Sequence, residues 1–85
     1  MARKKDLGLA SRRERKAISL EQISETTKIG IRSLKAIEAG EFQKLPGGVY
    51  STSYIRQYAR AIEVDESQIL RQYYSAMGIN PSAGF

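Results

Sequence analysis

Residues Ser19 to Gly40, read as SLEQISETTKIGIRSLKAIEAG, leave room for little except two short helices joined by a tight turn. Ser19 stands three residues before Gln22, the spacing at which each side chain can satisfy the other's backbone N–H in a capping box. A helix therefore starts at Ser19. Leu20, Ile23 and Thr27 follow at helical intervals, Lys28-Ile29-Gly30 breaks them, and Leu34 and Ile37 resume the period up to Gly40, a residue suited to ending a helix. Helices this short are stable only when their apolar stripes pack over a shared core, so the two must cross. The crossing turns the second of them outward, with Gly30, Ile31, Arg32, Ser33, Lys35 and Ala36 on its open side.

Three further helices and no strand complete an all-α, five-helix bundle. The first lies within about Leu9 to Lys16, with Asp6 as its candidate cap. After the central pair, Pro46, Gly47 and Gly48 forbid a continuous helix, and Phe42 and Leu45 are placed to pin that connector to the core. A fourth helix, about Val49 to Ile62, carries Ile55, Tyr58, Ala59 and Ile62 on one face. The fifth, about Glu66 to Met77, opens with Asp65 and Gln68 as a second capping box, turns Ile69, Leu70, Tyr73 and Met77 inward, and stops at Gly78. The domain organisation is thus a flexible basic arm over 1–8, one folded domain over 9–77 and a flexible tail over 78–85.

What the chain lacks narrows its chemistry. It has no Cys and no His, which removes disulfides, thiolate metal sites, imidazole ligands and imidazole bases. Neither Glu38 nor Glu41 has a partner at a catalytic spacing, and no glycine-rich loop follows a strand. A non-enzymatic protein without cofactor, metal or small-molecule substrate is expected. No apolar run reaches the roughly 20 residues of a spanning helix, and Met1-Ala2-Arg3-Lys4-Lys5 does not open a signal peptide, so the expected location is cytoplasmic.

The net charge of +5 is confined to one end. Residues 1–16 hold seven basic side chains (Arg3, Lys4, Lys5, Arg12, Arg13, Arg15, Lys16) against two acidic ones, and the remainder is balanced. Such a segment is either a solubilising tail or an arm that grips phosphates. On the outward helix, Arg32 can pair with a guanine edge, Ser33 can donate or accept, and Lys35 can reach a guanine or a phosphate. A solvated helix face is the ordinary alternative for these cations. Ser19 and the amides at the start of its helix offer a phosphate-docking end. The candidate DNA-binding set is Arg32, Ser33, Lys35, Ser19, Arg3, Lys4, Lys5, Arg12 and Arg13.

A second candidate lies on the fourth helix, where Tyr50, Tyr54 and Tyr58 recur every four residues with Arg56 and Arg60 on a neighbouring face. Tyr58 belongs to the core stripe. Tyr50 and Tyr54 either cap the core beneath the connector or stand exposed as a protein-binding surface, for which Tyr and Arg are the favoured residues.

SLEQISETTKIGIRSLKAIEAGEF resembles the helix-turn-helix core of the Xre or lambda-repressor-like class, and LPGGVYSTSYIRQYARAIEVDESQILRQYY is similar to the cytoplasmic domain of RodZ-type proteins. Together the two cover about Leu9 to Tyr74. Both imply a lambda-repressor-like bundle of five helices. The Xre resemblance implies a transcriptional regulator on double-stranded DNA, with contacts at the positions held here by Leu20, Gly30, Ile31, Arg32 and Ala36. Only Arg32 among these is polar, so the leading expectation, a DNA-binding regulator with the RodZ-like adaptor as its alternative, rests mainly on phosphate contacts. The RodZ resemblance implies a membrane-tethered adaptor in cell-shape control that docks the actin-like protein MreB through its fourth helix, at Tyr50 and Tyr54. With no long apolar stripe left over, a monomer or weak dimer is expected.

Overall fold

The computed structural model describes residues 7–79. Asp6, the arm residues Arg3, Lys4 and Lys5, and the tail beyond Ile79 lie outside them. The described residues hold five α-helices and no strand: α1 (Leu9–Arg15), α2 (Leu20–Thr27), α3 (Ile31–Ala39), α4 (Gly48–Ala61) and α5 (Glu66–Met77), with a 3-10 turn at Phe42–Lys44. The all-α five-helix architecture expected from the sequence is the one observed.

The capping box at α2 is fully formed. Gln22 N–H donates to Ser19 Oγ at 3.0 Å, and Ser19 N–H donates to Gln22 Oε1 at 2.7 Å. At the other end Lys28 takes a left-handed conformation and its N–H donates to the Ser24 carbonyl at 2.7 Å. Two hydroxyls fasten the turn that follows: Ser24 donates to the Ile29 carbonyl at 2.6 Å, and Thr27 Oγ1 accepts from Ile29 N–H at 3.2 Å. These bonds hold Ile29 in the core at 1% exposure, so the turn is itself a packing element.

Leu20, Ile23, Leu34, Ile37, Ile55, Tyr58, Ala59, Ile62, Ile69 and Tyr73 form the centre of the core, with Leu9 of α1 and Phe42 and Leu45 of the connector closing it. Phe42 meets the Tyr73 ring edge-on at 5.6 Å. The connector is pinned as its sequence predicts. It delivers the chain to α4 through Gly47, whose φ of 102° excludes side chains, and Gly47 N–H donates to the buried Ser51 hydroxyl at 2.8 Å.

Four details differ from the sequence expectation. Helix α1 falls within the expected span, but its N-cap is Gly8, in a left-handed conformation with no side-chain cap, and not the candidate Asp6. Asp65 caps α5 through Ser67 and not Gln68, because its short carboxylate reaches the nearer Ser67 N–H at 2.9 Å while Gln68 N–H takes the Asp65 carbonyl. The hydrogen bonds from the Ser67 backbone and then from the Ser67 hydroxyl hold the Asp65 carboxyl below its ordinary range. Met77 is 41% exposed, since the inward arc of α5 closes at Tyr73 and the last turn runs past that contact. Ala36, expected outward, is buried, because the 3-10 turn and α4 also pack on α3 and widen its covered arc.

Candidate functional site

The outward side of α3 is narrower than its sequence suggests. Arg32 and Lys35 are exposed, Ser33 and Ile31 are half-buried, and Ile31 leans on the core. Gly30 offers no side chain. With Ala36 buried, two cations and one partly covered hydroxyl are all that this helix presents to a nucleic acid. At the start of α2, Ser19 N–H donates to Gln22 and the Ser19 hydroxyl accepts from Gln22 N–H, so of the two donors of Ser19 the capping box uses the amide and not the hydroxyl proton.

Arg13 is withdrawn from the DNA-binding set by its geometry. Its Nε donates to Glu38 Oε2 at 2.5 Å, and its Nη1 donates to the Ile18 carbonyl at 3.0 Å. Tyr58, fully buried, donates its hydroxyl to the same Glu38 oxygen at 2.6 Å. The trio joins α1, α3 and α4 inside the fold. The hydrogen bond to Glu38 raises the guanidinium's affinity for its proton, and burial, reinforced by the Glu38 carboxylate, pushes the Tyr58 phenol far up. Glu38, unpartnered by any local spacing, was invisible as a partner in the sequence because Arg13 and Tyr58 lie 25 and 20 positions away.

Helix α4 presents a different surface at its N-terminal end. Val49 is 76% exposed and Tyr50 is 65% exposed, the two most exposed large apolar side chains among the described residues. Tyr54, one turn on, is half-buried with one side against the core. The two tyrosines expected to act together are thus arranged as an exposed ring beside a supported one. Arg56 and Arg60 do not frame them: both reach Glu66 at the start of α5, at 3.3 and 3.9 Å. Val49 carries the exposure that the arginines were expected to border. In the sequence its place before Tyr50, outside the core stripe, was a usable signal of that exposure.

A third feature is an open cleft of about 420 Å³ lined by Arg12, Arg15, Lys16, Glu63 and Val64. Among the described residues no group of three or more acidic side chains is placed to hold a metal ion, and no helix is long and apolar enough to cross a membrane.

Comparison with known proteins places these surfaces in a family context. Residues 8–69 match the family described as a helix-turn-helix domain. The chain is 36% identical over 75 residues to the cytoskeleton protein RodZ of Streptococcus pneumoniae, a match covering 86% of this chain and 27% of that protein. It is also 36% identical over 56 residues to the uncharacterized membrane protein YmfM of Bacillus subtilis, covering 66% of this chain and 19% of that one. The matched regions span about a quarter and a fifth of those relatives. No solved structure matches the chain.

Proposed function

We propose that this chain, which belongs to the helix-turn-helix domain family and stands close to its RodZ-type members, is a non-enzymatic docking domain that binds an actin-like filament protein through α4. The observation that carries this reading is the exposed pair Val49 and Tyr50 at the start of α4, backed by Tyr54. An aromatic ring held at the end of a rigid helix loses little entropy on binding and buries a large area, which is the profile of an interface anchor. The similarity to a protein named for the cytoskeleton supports the same partner class, and MreB is the filament protein that the resemblance implies. A pull-down of an actin-like filament protein tests it. Tyr50→Ala weakens capture by about 30-fold or more, the scale of a hot-spot residue, while the helical circular dichroism is unchanged. Capture by Tyr50→Ala and by Tyr54→Ala that equals capture by the parent protein rejects the reading.

A second reading, a DNA-binding regulator, draws on the exposed Arg32 and Lys35 of α3 together with Arg12 and the arm cations Arg3, Lys4 and Lys5. Its contacts are with phosphates, so affinity for labelled duplex falls steeply with salt and Arg32→Ala lowers the slope by about one. Absence of binding to duplex at low salt removes it.

A further inference from the structure

The cations of α1 divide by use. Arg13 is turned inward onto Glu38, whereas Arg12, Arg15 and Lys16 line the cleft between the end of α1 and the α4–α5 corner. The single acid of that lining, Glu63, lies 3.3 Å from Lys16 and is highly exposed, so it offsets only part of the charge. We infer that this face docks the phosphate headgroups of an anionic lipid bilayer.

Two placements favour a bilayer over a nucleic acid. Arg13 ties the end of α1 to Glu38, in the last turn of α3 and about 10 Å along that helix from Ile31. The cleft therefore stands at the end of α3 opposite to the one that would enter a groove. No aromatic side chain lines it, so a single strand would find no ring on which to stack a base. What remains is positive charge without a directional pattern, which is what a sheet of phosphates recognises. Helix α4, about 20 Å long, separates this face from Tyr50 at its other end, so both faces can be occupied at once.

The 85-residue chain is sedimented with vesicles of phosphatidylcholine alone and of phosphatidylcholine mixed with phosphatidylglycerol, and its folding is checked by circular dichroism. Each Lys or Arg near an anionic surface is worth about fivefold in partitioning. The triple replacement Arg12→Gln, Arg15→Gln and Lys16→Gln therefore lowers binding to the anionic vesicles about 100-fold, and Glu63→Gln raises it about fivefold. Should the triple variant not fold, Glu63→Gln carries the test alone. Equal binding to both vesicle types, an unchanged triple variant, or no gain from Glu63→Gln each overturns the proposal. So does a loss caused by Tyr50→Ala, which would assign the binding to ring insertion. Tight binding to mixed-sequence duplex DNA with none to vesicles overturns it in favour of a nucleic acid. The outcome is independent of filament docking, which Tyr50 reports and the triple variant leaves intact.

Discussion

Tyr58 and Glu38 share a hydrogen bond of 2.6 Å in which a fully buried phenol donates to the same carboxylate oxygen that accepts from Arg13 Nε. A carboxylate this covered is tolerated only because a cation and a hydroxyl satisfy it. Arg13→Ala leaves Glu38 without its cation and costs about 3 kcal/mol of unfolding free energy, read by urea denaturation. Glu38→Ala costs a similar amount. Because both substitutions break one interaction, the double variant loses much less than the two losses combined; strict additivity would mean that the pair does not hold α1 in place.

The same bond sets an alkaline limit on stability. The Tyr58 phenol is held neutral in the folded state by burial and by the neighbouring carboxylate, so its folded pKa lies above the unfolded value of about 10. Its contribution is fully present below that pH and is lost as pH rises past it, because only the unfolded chain then releases the proton. Tyr58 alone accounts for a fall of about 1.4 kcal/mol per pH unit above that point. Tyr58→Phe removes this slope and costs about 2 kcal/mol near neutrality for the lost bond to a charged acceptor. Parallel pH profiles for the two proteins, from denaturation between neutral and alkaline pH, would refute the assignment.

How much of this was legible in the sequence follows from the range of each interaction. Ser19 with Gln22, the stripe from Ile55 to Ile62 and the stop at Gly40 are local patterns, and the structure repeats them. Arg13, Glu38 and Tyr58 meet only after three helices have packed, and nothing in their spacing announces it. Ala36 fails for a related reason: a two-residue stripe at Leu34 and Ile37 fixes the centre of the buried arc but not its width, which α4 and the 3-10 turn decide. At the candidate docking site, Tyr50 and Tyr54 were visible as a row, while the separation of an exposed ring from a supported one depended on where Gly47 starts α4.

That start is testable at Gly47. No atom lies close enough to obstruct a Cβ there, so the cost of Gly47→Ala is conformational: a φ of 102° lies outside the region open to alanine. The expected loss is about 1 to 3 kcal/mol, measured by thermal or urea unfolding. If the strain is instead relieved by shifting the first turn of α4, Val49 and Tyr50 move with it and capture of a filament protein falls although Tyr50 is intact. A variant with unaltered stability and unaltered capture would show that this backbone conformation is not required.

The buried position of Ala36 separates the two functional readings of α3. In the Xre resemblance this position faces the groove, so a longer polar residue there ought to add a base contact without harming the fold. Here Ala36 is 2% exposed, and Ala36→Gln forces extra volume and an amide into a packed interior. It is expected to destabilise the domain by about 2 kcal/mol or more and to add no sequence preference on duplex DNA. Lys35→Gln, one position earlier on the exposed side, stays within about 0.5 kcal/mol of the parent in the same urea titration. Were Ala36→Gln as stable as Lys35→Gln, the arc assigned to the core would be too wide, and α3 would regain a position from which to read bases.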